Sequence, residues 1–173
     1  MKVELLAESC RAAVGLFFIG TGILKLVRPR VLDGALAALR VPSAVRLPAS
    51  VALALGELLL GVVMIAVAGP VVLLAAGIAL AGFSGMLGFL AKRAPQVSCG
   101  CLGELGTGAH SLGLVRNALL ATLLVAAATA PSNALGVAPL AIGLQLALLV
   151  TVATEGLYVI RLVRRTEGRA VHP

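Results

Sequence analysis

Residues 51–91 read VALALGELLLGVVMIAVAGPVVLLAAGIALAGFSGMLGFLA, and the single charge in these 41 positions is Glu57. A helix of that length extends about 60 Å, twice the roughly 30 Å of hydrocarbon in a bilayer. Gly69-Pro70 divides it, because Gly ends one helix and Pro opens the next. The stretch therefore predicts two crossings, about 51–68 and 70–91. The remaining apolar runs take their place around this pair. One is AAVGLFFIGTGILKLV at about 12–27, and another covers about 112–130. A turn at Pro131, Ser132, Asn133 and Gly136 separates the latter from a last run at about 139–160. The expectation is an all-α membrane protein, a bundle of about five transmembrane helices in a single integral membrane domain over 1–173, without internal repeats.

Composition agrees with that reading and excludes others. The chain is 60% hydrophobic and 12% charged, with mean hydropathy +1.10; a soluble domain is nearer 45–50% apolar and about 25% charged. A water-soluble globular domain and a disordered tail are both ruled out. Net charge is +7 and the pI about 10.4. Nucleic acid is not the implied partner, since Trp is absent, aromatics are 3%, and the basic residues cluster beside apolar runs instead of forming a stripe. The partner implied is the lipid bilayer. The acids Glu4 and Glu8 before the first run, and Lys25 inside it, fit a signal peptide poorly.

With five crossings, the first and third connections and the C-terminus share one side. That side holds 12 of the 14 basic residues, which makes it cytoplasmic and puts the N-terminus outside. Within the first connection Val31, Leu32, Ala35, Leu36 and Leu39 recur at helical spacing between Pro29 and Pro42. This predicts a short helix at about 30–41 lying in the interface, or an ordinary amphipathic linker.

Chemistry concentrates in two places. The first is Val97-Ser98-Cys99-Gly100-Cys101-Leu102-Gly103, in the third connection. Thiols one residue apart close only a small, strained ring, with Gly100 supplying freedom for the bend. Strained, exposed disulfides are the reducible ones, so the pair suits exchange better than stapling. Lys92 and Arg93 would favour thiolate, and Glu104 would oppose it or accept a proton. Two other readings stand beside redox exchange. One is a metal site of Cys99, Cys101 and His110, which has too few soft ligands for closed zinc; the other is a Gly-rich turn with incidental thiols. Cys10 belongs near the opposite face and reads as a free thiol.

The second place is inside the spans, where ionisable residues are costly and face partners or cavities. Lys25, Glu57, Arg116, Asn117 and Glu155 all fall in the cytoplasmic half. Lys25 with Glu57, and Arg116 with Glu155, are the first pairings to draw. They either neutralise one another and fix register, or line a polar pocket under the thiol loop. Gly82, Gly85 and Gly88 predict close helix approach, with a flat cofactor on that surface as the alternative. The run Gly103 to Gly108 lacks a following Lys-Ser/Thr, so no phosphate loop is supported.

Taken in order, FFIGTGILKLVRP, a proline-bounded short helix, LALGELLLGVVM, SCGCLG and SLGLVRNALLA resemble the MauE family within the broader DoxX-like membrane proteins. The resemblance covers roughly 12–125. Its most specific parts are Lys25 with Pro29, Gly56-Glu57, and Cys99-Gly100-Cys101. Leu102 stands where the family usually has phenylalanine, a conservative departure. The resemblance implies a DoxX-like core of four helices in the bacterial inner membrane. It also implies redox-associated maturation, since MauE is linked to production of the disulfide-rich small subunit of methylamine dehydrogenase beside a thioredoxin-like protein. Many relatives stand outside that pathway. Carried over are Cys99 and Cys101 as the redox pair, and Lys25 and Glu57 without an assigned role.

The functional expectation is a membrane thiol–disulfide redox protein that passes electrons or disulfides to a thioredoxin-like or client protein. The charge count puts the thiols inside, whereas disulfides of exported proteins form outside. That conflict points to electron transfer across or into the membrane, with a quinone as candidate carrier. The alternatives are a non-catalytic assembly subunit, and an enzyme or binder for a lipophilic molecule such as a quinone, using Lys25, Glu57, Arg116 and Glu155.

Overall fold

The computed structural model describes the backbone of residues 2–67, 69–94, 110–128 and 137–170. Side chains are described within those bounds from 3 to 153, apart from Val31 and His110. Every regular element among them is helical: α1 (Lys2–Val27), a 3-10 turn (Pro29–Leu32), α2 (Asp33–Ala38), α3 (Ser43–Ala66), α4 (Pro70–Arg93), α5 (His110–Ala127) and α6 (Val137–Ala170). Three of these, α1, α3 and α4, are long and apolar enough to cross a membrane, and α5 and α6 carry shorter apolar stretches. The sequence's break at Gly69-Pro70 is where α4 starts, with Gly69 extended as its cap and Pro70 in the first turn.

The helices reach beyond the apolar runs. α1 takes in Ser9, Cys10 and Arg11 ahead of the run at 12–27, and all three are buried. α3 begins eight residues before the run at 51, with Pro48 inside its early turns. Between α1 and α3 the proline-bounded segment folds as the 3-10 turn and α2. It is fixed to α3 by Ser50, whose hydroxyl donates to the Pro29 carbonyl at 2.6 Å.

α1 is the hub. It packs against α3, α6 and α5, while α4 packs mainly on α5. In its apolar window 61% of residues are buried, against 28% in α3 and 17% in α4. Small residues permit this. A Cβ on Gly61 would lie 2.6 Å from the Gly15 carbonyl oxygen, and one on Gly22 would lie 2.9 Å from the Ala54 carbonyl and Leu58 amide. Gly15 with Gly61 and Gly22 with Ala54 run in opposite directions along the two helices, so α1 and α3 are antiparallel. Gly143 of α6 meets Ala12 and Ala13 with equal closeness. The core cluster joins Val14, Phe17 and Phe18 of α1 to Met64, Ala76, Leu80, Leu120 and Leu124.

Gly82, Gly85 and Gly88 are a correction. A Cβ at any of the three meets nothing within 4 Å among the described residues. The tight crossings use the glycines of α1 and α3 instead. Leu55, Leu59, Leu74, Ile78, Leu148 and Val152 are exposed, a surface that fits lipid and not water.

Candidate functional site

The Gly22–Ala54 approach sets up the most buried charges. Gly22 sits against the turn of α3 from Ala54 to Leu58 that carries Glu57, and Lys25 is one turn further along α1. With the backbones this close, Lys25 Nζ donates to Glu57 Oε1, and the two side chains are 2% and 3% exposed. Phe83 of α4 closes the other side, with Nζ 5.0 Å from its ring centroid. Glu57 Oε2 has no hydrogen-bond partner among the described residues. A buried carboxylate with one oxygen left bare has capacity to accept a further hydrogen bond.

A second set lies beside it. Asn117 Nδ2 of α5 donates to Ser84 Oγ at 3.1 Å, and Ser84 Oγ donates back along its own helix to Leu80 O at 2.8 Å. Arg116 is buried, its guanidinium 5.2 Å from the Phe17 ring centroid, and its Nε has no hydrogen-bond partner among the described residues. Phe83 and Ser84 are consecutive on α4, and Arg116 and Asn117 on α5. The four helices thus share a polar layer in an apolar core.

Of the residues singled out from the sequence, Lys25 and Glu57 are in contact, and Arg116 and Asn117 are buried in the same layer. Glu155 lies on α6, its side chain outside the described residues. Cys99 and Cys101 fall in the segment 95–109, also outside them, as does the metal alternative with His110; among the described residues no group of three His, Cys, Asp or Glu gathers. Cys10 is free and buried. Sequence reasoning missed Phe17, Phe83 and Ser84, and it left Arg11 outside the span, though Arg11 is only 4% exposed. A serine amid the apolar run of α4 was the available signal.

A family model described as methylamine utilisation protein MauE matches residues 3–130. The chain belongs to the MauE family. The match contains Lys25, Glu57, Ser84, Cys99, Cys101, Arg116 and Asn117, and it stops short of α6. With its long apolar helices, the chain is a multi-pass membrane protein of a family tied to methylamine utilisation, and its apolar helix faces meet the lipid bilayer. No curated protein and no solved structure matches it.

Proposed function

We propose that this MauE-family chain is a thiol–disulfide redox protein of the bacterial inner membrane, with five crossings and the Cys99–Cys101 loop on the cytoplasmic side. The observation that carries this reading is the polar layer. Lys25, Glu57, Ser84, Arg116 and Asn117 gather in the half of the bundle where α4 ends and α5 begins, and the chain joining those two ends is the one that bears both cysteines.

In the cycle, one cysteine thiolate attacks a disulfide of a client, forming a mixed disulfide and releasing one client thiolate. The second cysteine then attacks the first cysteine's sulfur, releasing the other client thiolate and leaving a Cys99–Cys101 disulfide. Two electrons pass to the client, which takes up two protons. A dithiol of a thioredoxin-like partner reduces the pair again, becoming oxidised itself. Glu57, with its bare oxygen, keeps an acceptor available in the polar layer, and Lys25 holds its other oxygen in place.

A second reading has its own support. Between α1 and α6 lies a groove of about 300 Å³ lined by Leu16, Phe17, Ile19, Gly20, Leu144 and Leu148. Such an apolar groove fits a lipophilic carrier such as a quinone, which would run the cycle in reverse: it takes two electrons and two protons from the Cys99–Cys101 dithiol, becoming a quinol, and the disulfide left behind passes to a client dithiol. The test is a Cys101→Ser variant. It is expected to trap a covalent, reductant-sensitive adduct through Cys99, absent from the Cys99→Ala, Cys101→Ala double variant. Full function in that double variant would overturn the redox reading.

A further inference from the structure

At the end of the bundle where α1 stops, the chain builds a second polar site, away from the buried layer. The 3-10 turn, α2 and the first turns of α3 enclose a cavity of about 330 Å³, lined by Pro29, Arg30, Asp33, Ser43, Arg46 and Leu47. That volume is at the lower end of small-molecule pockets. Its walls are fixed by hydrogen bonds: Ser50 holds the Pro29 carbonyl, and Arg46 Nε donates to the Val41 carbonyl at 2.9 Å. Arg46 Nη1 is 3.7 Å from Asp33 Oδ2, beyond hydrogen-bond length. The outer guanidinium nitrogens and the carboxylate therefore keep capacity for a ligand.

The surroundings place this cavity at a membrane surface. Val27, Leu39, Val45 and Leu47 are exposed apolar residues, and Arg28, Arg30 and Arg40 are exposed among them. Apolar and cationic side chains at one level mark the boundary between acyl chains and headgroups. Exposed Arg30 and the outer nitrogens of Arg46, which is held by Val41 and ion-paired with Asp33, match a phosphate, to which Arg binds as a planar fork. The carboxylate in the same cavity works against a purely anionic ligand. It suits one that carries a cation a few bonds from its phosphate.

We propose that this cavity binds the headgroup of a phosphatidylethanolamine-type lipid, with the phosphate on Arg30 and Arg46 and the primary ammonium on Asp33. The site holds whether or not Cys99 and Cys101 exchange disulfides, because it uses none of the residues of the polar layer.

The test is native mass spectrometry of the full chain released from nanodiscs of equal parts phosphatidylethanolamine, phosphatidylglycerol and phosphatidylcholine. Retained phosphatidylethanolamine is expected to exceed each of the others several-fold. Arg30→Gln is expected to lower that retention about tenfold, and Asp33→Asn to abolish the preference over phosphatidylglycerol. Both side chains are largely exposed, so thermal unfolding of the two variants is expected to match wild type and so separates lost binding from lost folding. Equal retention of the three lipids, preference for phosphatidylglycerol, or undiminished retention in Arg30→Gln would overturn the proposal. So would inorganic phosphate raising thermal stability as much as the lipid does, since the ligand would then be a soluble anion.

Discussion

Lys25 and Glu57 owe their contact to a hydrogen atom, the side chain of Gly22. Their burial gives the pair two separable consequences. Removing one partner leaves an uncompensated charge, which costs about 3–5 kcal/mol, whereas replacing both by apolar residues of similar size is often neutral. Glu57→Gln is therefore expected to lower unfolding stability by about 3 kcal/mol in detergent titrations, and Lys25→Met with Glu57→Leu to recover most of that. If the stable double variant still fails in function, the pair does chemistry; if it works, the pair only sets register. Arg40 makes a different point. It sits at φ 61°, the position after the last helical cap of α2, where the Val41 and Arg40 amides donate to the Leu36 and Ala37 carbonyls. Glycine suits that left-handed position. Arg40→Gly is expected to raise stability by roughly 1 kcal/mol, checked by the same titration.

Along the helices, the sequence announced the break at Gly69-Pro70 and the charges on their proper elements, and it drew the Lys25–Glu57 pair. It could do so because hydropathy and the price of burying a charge are local properties. It missed which glycines matter. Gly82, Gly85 and Gly88 form the more obvious motif, but a glycine only signals an approach if another helix arrives there, and that depends on tertiary packing. Gly61→Ala is expected to destabilise the α1–α3 crossing by 1–3 kcal/mol through overpacking, while Gly85→Ala changes stability by less than about 0.5 kcal/mol; paired unfolding curves check the contrast. Arg11 was missed for a related reason. Its place in the chain, just before an apolar run, reads as a flank, and only the burial of the first turns of α1 turns it into an interior residue. Phe17 and Phe83 went unremarked, since nothing in an apolar run signals that cations lie over two of its rings.

Taken as one body, the chain offers a direct check of sidedness through its three thiols. Cys10 is 2% exposed and is expected to resist a membrane-impermeant maleimide until the protein is unfolded. Cys99 and Cys101 are expected to stay unlabelled on intact cells and to react once the membrane is opened. Labelling of the pair from outside would reverse the orientation drawn from the basic residues. The central position of α1 bears on how the protein is made. The helix that α3, α5 and α6 pack around leaves the ribosome before them, carrying Lys25, and its counter-charge follows 32 residues later. At about 5–20 residues per second that interval is a few seconds, during which a cation sits at the edge of the bilayer with no partner. Nascent chains halted before α3 would then be expected to be handled as unfinished by membrane quality control, and those halted after it to be retained.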